Sequence, residues 1–87
     1  MYAISFDFNS EELKKEYGDT SKAYNEIEEE LAKFDFVWLN GSVYVNYHGK
    51  NSLVYVYKVI NRLSTLYWFK KSVRDIAVFK IENLSNF

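Results

Sequence analysis

The chain opens on a two-residue alternation. Tyr2, Ile4 and Phe6 fall on one side of an extended segment and Met1, Ala3, Ser5 and Asp7 on the other, which predicts a strand over residues 1–8. Asn9-Ser10-Glu11-Glu12 follows. A side-chain acceptor with a carboxylate three residues on is the start of a helix with a capping box. Gly18 interrupts that helix, as a natural left-handed C-terminal residue. Any of Asp19, Thr20 and Ser21 is able to cap its resumption. The period then lengthens: Ala23, Ile27, Leu31 and Phe34 form a helical stripe, with the glutamates on the opposite face.

Two short apolar runs, 36–39 and 42–46, are separated by Asn40-Gly41. That dipeptide predicts a hairpin with a two-residue type I′ turn, in which both central residues carry positive φ. The next stretch is ambiguous. Leu53-Val54-Tyr55-Val56-Tyr57-Lys58-Val59 has strand propensity. Yet Leu53, Val56, Val59, Ile60, Leu63 and Leu66 keep helical spacing over a length beyond an ordinary strand. We read it as a helix over 52–66, capped by Asn51 or Ser52. Residues 73–82 alternate again, with Ile76 and Val78 on one face and Ala77, Phe79 and Ile81 on the other. A strand apolar on both sides is expected to be covered on both sides.

The order β-α-β-β-α-β predicts an α+β, ferredoxin-like domain of the split βαβ kind, a four-stranded antiparallel sheet with two helices on one face. It occupies residues 1–87 as one domain, with 83–87 a peripheral tail. Two helices cover one face of the sheet, so the other needs a cover of its own. A second copy of the chain is the economical one, and a homodimer is expected. The alternative cover is the tail 83–87, only five residues long.

Composition sharpens this picture. Eighty-seven residues make a marginal core, and an aromatic content of 20% supplies large buried area per side chain. There is no cysteine, which excludes thiol nucleophiles and cysteine–zinc sites and favours a reducing, cytoplasmic setting. The N-terminal segment has no basic region followed by an apolar core, so neither a signal peptide nor a membrane span is expected there. Net charge is −1, not that of a general polycation binder. The charges are segregated, however: Glu26, Glu28, Glu29 and Glu30 in one stretch, Lys70, Lys71 and Arg74 in another.

Candidate chemistry is sparse. A single histidine, His48, supplies no imidazole pair, and a solvent-facing turn is its simplest role. Gly18, Gly41 and Gly49 are too scattered to cradle a phosphate. Asp7 closes an apolar strand where the backbone leaves the sheet, a place for a Mg²⁺ ligand or general base, or for an acid favourably set near a helix N-terminus. Ser42 follows the Asn-Gly turn, where its hydroxyl is also able to bond the turn backbone. Tyr44 and Tyr47 offer base-stacking platforms or strand packing. Arg74, beside Lys70 and Lys71, suits a phosphate or a surface ion pair with Asp75.

Three segments together resemble one family. Met-Tyr-Ala-Ile-x-Phe-Asp at 1–7, Gly-Ser-Val-Tyr at 41–44 and Trp-Phe-Lys-Lys-Ser-Val-Arg-Asp-Ile at 68–76 look like the virulence-associated protein D (VapD) ribonucleases, and the likeness runs from Met1 to about Glu82. The resemblance implies a ferredoxin-like homodimer that cleaves RNA, a toxin of a toxin–antitoxin module, with a fold similar to the small nuclease-like subunit of CRISPR adaptation complexes. It matches the family's aspartate to Asp7 and its serine to Ser42, leaving Tyr44, Lys70, Lys71 and Arg74 to hold RNA, possible use of Mg²⁺, and an antitoxin as possible partner. The departure lies in 52–66, rich here in tyrosine and valine. The competing class is a non-catalytic dimeric module that binds RNA or protein.

Overall fold

The computed structural model describes residues 1–49 and 52–82. Strand β1 (Tyr2–Phe8) leads into helix α1 (Ser10–Tyr17) and helix α2 (Thr20–Ala32). The hairpin β2 (Phe36–Asn40) and β3 (Val43–Asn46) follows, then helix α3 (Ser52–Leu63), the short helix α4 (Tyr67–Ser72) and strand β4 (Val73–Lys80). The caps are those the sequence suggests. Glu12 N–H donates to Asn9 Oδ1 at 3.0 Å. Gly18, at φ 97°, closes α1 by donating to Lys14 O. Of the three candidates at α2, Asp19 is the cap, accepting from Ser21 and Lys22 N–H.

All strand pairs are antiparallel in the order β2-β3-β1-β4, so β3 is inserted between β1 and β2 as the split βαβ pattern requires. The main core lies under the helices, where Ile4, Phe6 and Phe8 meet Leu13, Ile27, Leu31, Val56, Val59 and Leu63. Phe69 plugs its centre, edge-on to Phe6 at 5.5 Å and to Phe8 at 5.7 Å. Burying a ring of that size stabilises the fold by roughly 1.5–3 kcal/mol.

Four expectations need correction. The hairpin turn is not Asn40-Gly41, because among the described non-glycine residues only Asp35 has positive φ. Asn40 pairs with Val43, after an irregularity between Trp38 and Asn40, and the loop residues are Gly41 and Ser42. Positive φ falls on Gly41 alone, the sign pattern of a turn with glycine first. The 52–66 helix stops at Leu63 because Ser64 and Thr65 turn their hydroxyls back onto the carbonyls of Ile60 and Arg62. A further helix, α4, then occupies the stretch before β4. Finally, Glu30 does not join the solvated face of α2. It is buried, accepting from Arg62 Nε at 2.7 Å and from Lys33 Nζ at 2.9 Å.

The second face of the sheet carries a small apolar cluster of Ala3, Val45 and Ile81, with Met1, Leu39 and Val43 against it. β4 is an edge strand, and in the single chain it is not covered on both sides: Val78 and Phe79, on opposite faces, are 42% and 39% exposed. The tail 83–87 and the cap candidate Asn51 lie outside the described residues. No described helix is long and apolar enough to cross a membrane.

Candidate active site

Antiparallel pairing brings the end of β1, the start of β3 and the start of β4 to one end of the sheet. Ser5 pairs with Val43 on one side and with Ala77 on the other. Two residues on, Asp7 stands directly opposite Asp75. The register then shifts, so that Phe8 faces Val73 and Arg74 is left as the extra residue of a bulge. Such an irregularity re-aims the side chain it carries. Arg74 Nε lies 4.0 Å from Asp7 Oδ2, with about two-thirds of each side chain exposed (64% and 65%). The arrangement is anchored from below, where Asn9 N–H donates to Ser72 O at 2.8 Å and ties the entry of α1 to the end of α4.

Two carboxylates facing each other across a strand pair repel, and the Arg74 guanidinium beside Asp7 offsets that repulsion. Asp75 is partly committed, since its Oδ1 accepts from Ile76 N–H at 3.0 Å. Ser42 is on the same face: its Oγ is 3.0 Å from Ser5 Oγ, and Ser5 precedes Asp7 by two residues in β1. The result is an open end carrying two carboxylates, a guanidinium and two hydroxyls. Among the described residues no group of three carboxylates or imidazoles converges on a metal-sized site within the chain. Asp7 and Asp75 offer two hard oxygen donors of the kind Mg²⁺ takes.

The expected site residues divide. Asp7, Ser42 and Arg74 gather at this end. Lys70 and Lys71 form the exposed last turn of α4, which feeds directly into it. Tyr44 does not belong: its ring is 5% exposed and packs 6.0 Å from Phe6, and burial raises its hydroxyl pKa. A buried ring has no face to offer a base, so Tyr44 is a core residue. Tyr47 is exposed but follows the far end of β3, where Asn46 pairs with Tyr2. His48 sits at that far end too. It stacks on Tyr55 at 4.4 Å, with Nε2 3.2 Å from Tyr55 Oη and 3.3 Å from Asp35 Oδ2. Sequence reasoning missed Asp75 as a site residue, because only the register shows that it faces Asp7 rather than pairing with its neighbour.

No protein-family model matches the chain. Full-length relatives do. The chain is 56% identical over 88 residues to the endoribonuclease VapD of Helicobacter pylori, spanning all of this chain and 94% of that one. It is 50% identical to the endoribonuclease VapD of Dichelobacter nodosus, spanning 92% of it, and 37% identical to that of Haemophilus influenzae, spanning 93%. With identity of this level sustained from end to end, over a sheet of the expected topology, the chain belongs to the VapD endoribonuclease family.

Proposed function

We propose that this protein is an endoribonuclease whose reaction centre is the sheet end formed by Asp7, Asp75, Arg74 and Ser42. The observation that carries the reading is the exposed Asp7 carboxylate, loosely held at 4.0 Å from Arg74 near the end of a mostly apolar strand, in a chain whose full-length relatives are named endoribonucleases. Asp7 takes the proton from the attacking oxygen as general base while that oxygen bonds to phosphorus, and the P–O bond to the leaving ribose oxygen breaks, that oxygen taking its proton from solvent. Arg74 and the Ser42 hydroxyl donate to the non-bridging phosphoryl oxygens, where charge develops, and Lys70 and Lys71 hold the flanking phosphates. Asp7 and Asp75 are the residues that hold Mg²⁺ if the enzyme uses it. Held there, the ion would supply Lewis-acid polarisation of a phosphoryl oxygen.

The working unit in this reading is a homodimer, in which the second copy covers the apolar residues of the far sheet face and of β4, bringing the two Asp7 side chains near the two-fold axis. The exposure of Val37, Val78 and Phe79 supports it. Service as the cytoplasmic toxin of a toxin–antitoxin pair rests on the family resemblance. The test is multiple-turnover cleavage of a labelled single-stranded RNA by wild type and Asp7→Asn, with and without Mg²⁺, the protein sized as a dimer. Cleavage that disappears in Asp7→Asn is expected. Stoichiometric binding without cleavage, indifferent to Asp7, replaces the enzyme with a binding module. Deoxyribose at the cut position distinguishes an attacking 2′-hydroxyl, which it blocks, from water.

A further inference from the structure

Trp38 lies on the edge strand β2 and is 53% exposed. Neither apolar cluster of the protein includes it. Its cross-strand partner Tyr44 is buried beneath the helices, whereas Trp38 remains in solvent. The ring is nonetheless fixed. Its Nε1–H donates to Gly41 O at 2.9 Å, three residues on, at the turn that carries Ser42. A large apolar ring held by its one polar atom and open to water is costly unless something covers it. Tyr47 follows the far end of β3, Tyr24, Tyr57 and Tyr67 project from α2, α3 and α4 and Phe79 from β4, and among the described residues none of these rings is tied to the turn as Trp38 is.

We propose that Trp38 is the base-stacking platform of the enzyme, taking the nucleobase beside the scissile phosphate of single-stranded RNA. The inference rests on the ribonuclease reading and adds to it the subsite that grips the substrate's base. Gly41 joins the indole to Ser42 through a single peptide, so a phosphate on Ser42 places a neighbouring base within reach of the ring. Register sets Trp38 on the helix side of the sheet and the Ser5–Ser42 contact on the other. The RNA strand therefore bends over the two-residue turn, which a single strand does readily and a duplex does not. An indole face reads stacking rather than a hydrogen-bond pattern, so this subsite demands an unpaired base but tolerates its identity.

The experiment uses the protein as it assembles in solution and a labelled single-stranded RNA. Stacking on one ring is worth roughly 5- to 150-fold in affinity, so Trp38→Ala should raise KM on the order of tenfold with kcat changed far less, and Trp38→Phe should recover most of the loss. An independent reading comes from Asp7→Asn, bound to the same RNA without turnover. Its tryptophan emission should be quenched as RNA saturates, and the quench should vanish in Asp7→Asn/Trp38→Phe, where partly buried Trp68 is the remaining tryptophan. Wild-type KM in Trp38→Ala, or unchanged emission at RNA saturation by anisotropy, overturns the proposal while leaving the ribonuclease reading intact. A Trp38→Ala protein that becomes monomeric also overturns it, since the ring is then a subunit contact. If the wild type neither cuts nor binds RNA, the ribonuclease reading itself fails and this proposal goes with it.

Discussion

Two carboxylate–arginine clusters in this small protein do opposite things. At Glu30 the acid is buried, Arg62 reaches it through two nitrogens at 2.7 and 3.3 Å, and Lys33 adds a third contact at 2.9 Å. The hydrogen bonds from Arg62 and then Lys33 hold its carboxyl down at about 2. At Asp7 the acid is exposed and Arg74 stands off at 4.0 Å. The first cluster ties α2 to α3, and its carboxylate is buried away from any substrate. The second is open, with a guanidinium free to exchange its carboxylate for a phosphate. An acid beside an arginine is scaffold at Glu30 and, in the proposed function, chemistry at Asp7, according to burial and geometry.

That contrast is broken most directly at Asp7. Asp7→Asn should lower cleavage by at least about a hundredfold, yet leave the stability within about 0.5 kcal/mol of wild type, since surface substitutions away from packing cost little. Cleavage assays beside thermal unfolding check both halves. Glu30→Gln should give the mirror image: stability reduced by about 1–2 kcal/mol, kept at that level because Lys33 and Arg62 are themselves well exposed. Cleavage per folded molecule should be unchanged. Urea unfolding measures the loss, and a matching fall in kcat would mean that the two clusters are coupled.

A smaller effect is expected at Arg74. Its replacement by Ala should lower kcat at least about tenfold, through loss of a donor to the developing charge, and weaken the salt dependence of RNA binding, as removal of one phosphate contact does. Arg74→Lys should keep the charge but not the planar fork, and so recover part of the loss. Measuring kcat and KM against ionic strength separates these effects. The smallest effect concerns pH. A carboxyl held at about 2 when folded and near 4.5 otherwise contributes its stability in full above pH 4.5, and loses it as pH falls from there toward 2. Acid unfolding of Glu30→Gln should therefore be flatter than that of wild type across this window, with the two curves parallel above it.

Much of this was legible in the chain. The alternation at residues 1–8, the Asn9 cap and the Ala23-Ile27-Leu31 stripe all appear where the pattern puts them. So does the helix over the tyrosine-rich segment, where spacing prevailed over β propensity because Val56, Val59 and Leu63 share one buried face. Asp7 and Ser42 stood out through their positions and through the family likeness. Other features needed the third dimension. Glu30 looks like its exposed neighbours until α3 brings Arg62 against it. Tyr44 and Trp38 both read as strand aromatics, and only the order of strands makes one central and buried, the other marginal and exposed.

The division has a physical cause. Periodicity and capping act within a few residues, so the sequence alone determined the strands and the helices other than α4, their order and the strand end on which Asp7 falls. Pairing partners, the bulge that frees Arg74 and the approach of Asp75 to Asp7 depend on register between segments distant in the chain. Edge against centre is likewise a property of the sheet, not of a strand, which is why β4 carries apolar residues on both faces and remains uncovered within one copy. Tertiary structure decided those, because they are set by which surfaces meet rather than by what any segment prefers by itself.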